Sequence, residues 1–75
     1  MKKYKVFIRY YMNGGYCKQI VKDYMHPGLT TEHIKQFVES MMAGVINTEF
    51  DGLTATAINM SNVSMIEVEF QEWDD

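Results

Sequence analysis

The sequence predicts an α+β domain of order β-β-α-β-β, an antiparallel sheet of about four strands with one helix packed on one face. Three observations predict it. Two runs rich in aromatic and β-branched residues flank Asn13-Gly14-Gly15, one apolar stripe at helical spacing runs from Ile34 to Val45, and strand-like alternation resumes at Leu53.

The first strand is expected over residues 3–12 (KYKVFIRYYM) and the second over 16–25 (YCKQIVKDYM), joined by a turn in which Asn and Gly tolerate positive φ. Charge selects the register. A two-residue loop sets Lys5 opposite Lys22 and Arg9 opposite Lys18, whereas a three-residue loop sets Lys5 opposite Asp23 and Arg9 opposite Gln19. The second register avoids like charges. It also gathers Tyr4, Val6, Ile8, Tyr10 and Met12 on one face with Tyr16, Ile20 and Tyr24, and leaves Lys18 and Lys22 at that face's edge, stems packed and ammonium groups wet. The Gly pair is read as a turn and not as a phosphate loop, which would lead into a helix N-terminus.

His26-Pro27-Gly28 breaks the second strand, and Thr30 is the expected N-cap of the helix, with Glu32 placed where the helix dipole favours an acid. Ile34, Phe37, Val38, Met41, Met42 and Val45 form the apolar stripe, while His33, Lys35, Gln36 and Glu39 face away. Gly44 or Asn47 ends the helix. Residues 45–52 allow either a short hairpin closed by Asp51-Gly52 or a plain loop. After it, residues 53–60 and 63–73 read as strands paired across Ser61-Asn62, with Ala57 opposite Ile66, Ala55 opposite Val68 and Leu53 opposite Phe70. The two alanines would admit the helix at close range.

Residues 1–75 are expected to form one small globular domain, near the lower size limit for a self-made core. Nearly half the residues are apolar and the net charge is only −3, which excludes a disordered chain. Cys17 is the only cysteine, so no disulfide is available and a reducing, cytoplasmic setting is expected. Lys2 and Lys3 lead into alternation and not into an apolar run, so no signal peptide is expected. All seven basic residues lie within 1–35, against two acids, while residues 36–75 carry eight acids and no base. Alternation of these charges with apolar residues predicts that the two halves lie side by side and neutralise each other.

No catalytic, metal or cofactor site is expected. His26, His33 and Cys17 lack ligand spacing, and Cys17 with either histidine is the only nucleophile–base candidate. Glu67 and Glu69 alternate on one strand face and are expected to sit solvated beside basic residues of the first hairpin. The uncovered sheet face is more informative. It should carry Lys3, Lys5, Phe7, Arg9, Tyr11, Cys17, Gln19, Val21 and Asp23, joined by Ile58, Met65, Glu67, Glu69 and Trp73. Aromatic and Met side chains amid charges suit a protein-binding surface, so Phe7, Arg9, Tyr11, Val21, Ile58, Met65 and Trp73 are the expected interface residues. The expected function is a non-enzymatic protein-interaction module, a small regulator or inhibitor that docks on a protein partner or forms a homodimer. The alternative is a single-stranded nucleic-acid platform in which Phe7 and Tyr11 stack bases beside Lys3, Lys5 and Arg9.

Overall fold

The computed structural model describes residues 1–73. The elements are β1 (Lys2–Met12), β2 (Cys17–His26), α1 (Thr31–Met42), β3 (Ile46–Asp51), β4 (Thr54–Asn59) and β5 (Val63–Trp73), with a 3₁₀ turn at Met60–Asn62. The α+β class, the single helix and the antiparallel pairing agree with the sequence. The single sheet of about four strands does not: five strands form two sheets, one ordered β2-β1-β5 and the other a β3-β4 hairpin. The helix is not long and apolar enough to cross a membrane.

The β1–β2 hairpin has the register that charge selected. Lys5 stands opposite Asp23 and Arg9 opposite Gln19. Met12 N–H donates to the Tyr16 carbonyl at 2.7 Å, and Gly15 takes a φ of 87°, which closes the three-residue loop. Tyr4, Val6, Ile8, Tyr10 and Ile20 are buried on the even-numbered face. Tyr16 and Tyr24 are not, because the layer above that face centres on β1 and leaves much of β2 open.

The departure from one sheet begins at the 3₁₀ turn. Asn59 caps it, its Oδ1 accepting from Ser61 N–H at 3.1 Å and from Ser61 Oγ at 2.8 Å. Met60 and Val63 are both buried, and Met60 N–H donates to the Val45 carbonyl at 2.9 Å. The chain therefore crosses between layers where a tight Ser61-Asn62 hairpin was expected. β4 pairs back on β3, with Ala57 opposite Thr48 and Ala55 opposite Phe50. β5, as long as β1, pairs along it with Ile66 opposite Tyr10, Val68 opposite Ile8 and Phe70 opposite Val6. Ala55 and Ala57 consequently face outward, away from the helix.

The helix begins at Thr30 as expected, but His33 is part of the cap. Thr30 Oγ1 accepts from His33 N–H at 3.3 Å and His33 Nδ1 accepts from Thr30 N–H at 3.1 Å, so the imidazole takes the place of the usual Glu or Gln in a capping box. The helix stops at Met42, where Gly44 N–H and Asn47 Nδ2 both donate to the Met41 carbonyl. A side chain at Gly44 would meet Asn47 Oδ1 at 2.7 Å, so Asn47 would have to shift from its bond to Met41. Val45 lies past the helix and is 78 % exposed, contrary to its expected place in the stripe. Ile34, Phe37, Val38 and Met41 are half-buried over one end of the sheet, where the Phe37 ring packs edge-on against Phe70 at 5.8 Å. The β3–β4 hairpin covers the other end and places Ile58 in the core with Ile8 and Tyr10.

Candidate functional site: the uncovered face of the three-stranded sheet

Side chains alternate across a strand, so burying Tyr4, Val6, Ile8 and Tyr10 turns Lys3, Lys5, Phe7, Arg9 and Tyr11 to the opposite face. The ladders bring β2 and β5 into line beside them. Phe7 lies between Val21 and Glu69, Arg9 between Gln19 and Glu67, Tyr11 between Cys17 and Met65, and Lys3 between Met25 and Trp73. No described segment of the chain packs over these residues. Phe7, Arg9, Tyr11, Val21, Met65 and Trp73 thus share one surface, on which Val21 is 49 % and Trp73 37 % exposed. Ile58 does not belong to it. Its expected position assumed that β4 pairs with β5; in the structure it points inward from β4 and is 2 % exposed.

Charge on this face is arranged in closed groups. Arg9 Nη1 donates to Glu67 Oε1 at 2.7 Å, Nη2 to Glu69 Oε1 at 3.0 Å and Nε to Gln19 Oε1 at 2.9 Å. The hydrogen bonds that Arg9 donates to Glu69 and then Glu67 raise its pKa further above neutrality. Glu69 moves the other way, its carboxyl held below the ordinary range by hydrogen bonds from Gln71 and then Arg9. Tyr11 donates to Glu67 at 3.4 Å, and desolvation, with the nearby Glu67 charge, raises its phenol pKa. Lys5 pairs with Asp23 at 2.6 Å, and the ammonium groups of Lys3 and Lys5 lie 5.4 and 5.6 Å from the Trp73 ring centre. Arg9 also lies over Phe7, 5.8 Å from its centre.

A second polar group was not legible in the sequence. Glu49, on the inward face of β3, is 7 % exposed; its Oε1 accepts from the Tyr10 hydroxyl at 2.9 Å and its Oε2 pairs with the Lys22 ammonium. This ties the hairpin to the three-stranded sheet. The available signal was Lys22 itself, a cation on the core side of β2 with no acid on its own hairpin to match it. The halves of opposite charge do meet, through Arg9 with Glu67 and Glu69, Lys22 with Glu49, and Lys2 with Glu72 at 3.7 Å.

The histidines and the thiol are not brought together. His26 and His33 have ring centres 5.0 Å apart, but each Nδ1 already accepts a backbone N–H, from Gly28 and Thr30 respectively. Cys17 is exposed at the opposite end of β2 from His26. Among the described residues no three His, Cys, Asp or Glu side chains converge as a metal site would require. The chain matches no protein family, no curated protein and no solved structure.

Proposed function

We propose that the chain is a non-enzymatic protein-interaction module that works in the cytoplasm as a small regulator or inhibitor, binding through the open face of its three-stranded sheet. The observation that carries this reading is the electrostatic closure of that face. Arg9, Glu67, Glu69, Lys5 and Asp23 satisfy one another, so a partner can cover Phe7, Tyr11, Val21, Met65 and Trp73 without stranding a charge. The occupant is another protein or a second copy.

The test is capture from native extract together with sedimentation across a concentration series, using Phe7→Ala and Trp73→Ala. Both substitutions should abolish capture, and any association made through this face, while leaving the urea midpoint near that of the parent. Capture unaffected by either one sinks the proposal.

The nucleic-acid reading has one observation in its favour, the two lysine ammonium groups around Trp73 beside Phe7 and Tyr11. Against it, Glu67 and Glu69 occupy the same surface and engage Arg9. Retention on a single-stranded DNA column that falls steeply with salt would favour it.

A further inference from the structure

We infer that a second copy of this chain adds to the outer edge of β2, joining two three-stranded sheets into one of six strands. This surface is the backbone edge and not the face discussed above, so either proposal can fail alone.

Met12 N–H donates to the Tyr16 carbonyl, which makes these residues a hydrogen-bonded pair. Pairs of this kind alternate along an antiparallel ladder, so even-numbered residues of β2 direct N–H and C=O toward β1. Cys17, Gln19, Val21, Asp23 and Met25 direct theirs outward, and β2 has no strand neighbour on that side. A ten-residue edge of this kind is a template for another strand.

Register then identifies the occupant. With a dyad perpendicular to the sheet, outward-directed odd residues must face odd residues of the other copy. A dyad at Ile20 sets Lys18 against Lys22, and a dyad at Lys22 sets that lysine against itself. A dyad at Val21 avoids both. It sets Val21 against Val21, Gln19 against Asp23, Cys17 against Met25, and Lys18 against Tyr24. Lys18 makes no ion pair among the described residues, and Tyr24 offers it an exposed ring. The other edge is unsuited. A copy added at β5 in registers centred on residues 67 to 69 places Glu67 or Glu69 against a carboxylate of the second chain.

The β3–β4 hairpin supports the same register. A cleft of about 360 Å³ lies beside β2, lined by Lys18, Ile20, Glu49, Phe50, Asp51 and Thr54. With the dyad at Val21, Lys22 of the second copy stands opposite Ile20, on the side of the sheet where Asp51 lines this cleft; Glu49 is already taken by Lys22 of its own chain.

The test combines sedimentation with residue-resolved amide exchange. Expected are a dimer at high concentration and amides of Gln19, Val21 and Asp23 slowed about tenfold or more relative to the dilute protein. Val21→Lys and Val21→Glu should each be monomeric, and an equal mixture should restore the dimer, because residue 21 faces its own copy only in this register. Phe7→Ala should leave the slowing of these three amides intact, even where it removes association through the open face. A monomer at every concentration, a dimer whose three amides stay fast, or a mixture that fails to reassociate overturns the inference.

Discussion

Tyr10 is wholly buried, and its hydroxyl reaches a carboxylate that is itself nearly buried, Glu49. Removing the hydroxyl leaves Glu49 Oε1 short of a donor in a place water barely enters. Tyr10→Phe should therefore cost about 1–3 kcal/mol in urea unfolding, more than the mean worth of a hydrogen bond. Burial first, and then the bond to Glu49, raises the Tyr10 pKa well above its ordinary 10.0. The folded state thus holds this proton more tightly than the unfolded chain does. The associated stability is complete below pH 10 and is lost as pH rises from there toward the folded value. An alkaline series of unfolding curves should show this decline, and Tyr10→Phe should flatten it. Glu69 has the opposite sign. Its pKa is depressed, so its contribution is present above the ordinary 4.5 and is lost as pH falls through the folded value. Glu69→Gln should remove a small part of the acid limb, small because the group is solvent-exposed.

At the scale of elements, the two hairpins turn on glycines with left-handed backbone, Gly15 at φ 87° and Gly52 at φ 60°. Neither has an atom within 4 Å of a would-be Cβ, so replacing either by Ala tests backbone strain alone. Each substitution should lower stability by roughly 1 kcal/mol in urea titrations. Thr30→Ala removes the Oγ1 acceptor at the helix start and should cost about 1 kcal/mol by the same measurement. The first hairpin and the helix start were legible because their determinants are local: an Asn-Gly-Gly turn, charges that repel in the wrong register, a Thr before an apolar stripe. The partner of β5 was not. Its hydrophobic alternation fits β4 or β1 equally well, and nothing in residues 63–73 distinguishes a neighbour four residues back from one more than fifty back. Hence Met65 and Trp73 were placed on the correct face by parity alone, while Ile58, whose face depended on pairing with β5, was not. His33 was read as a solvated helix residue because a histidine closing a capping box has no signature in spacing.

For the molecule as a whole, cohesion between the two sheets rests on few groups. Ile58 and the Glu49 contacts hold the β3–β4 hairpin from within, and its outward-pointing residues Ile46, Phe50, Ala55 and Ala57 are exposed. A two-stranded hairpin has little stability of its own. Ile58→Ala should therefore cost about 2–5 kcal/mol and speed amide exchange across residues 46–59 before it affects β1 and β2. Uniform acceleration through the chain would show instead that both layers open together.

The pairing of β1 with β5 also governs how the chain can acquire its shape. Lys3 lies opposite Trp73, so the earliest strand completes its hydrogen bonds only with the latest one. During synthesis the β1–β2 hairpin must wait with a bare flank until β5 has emerged. So many contacts between remote positions place refolding among the slower small domains, on the order of milliseconds to seconds. The same adjacency permits another chain order: a short linker from Trp73 to Lys2, with a new opening between Gly52 and Leu53, should yield a circular permutant whose sheet closes without that delay.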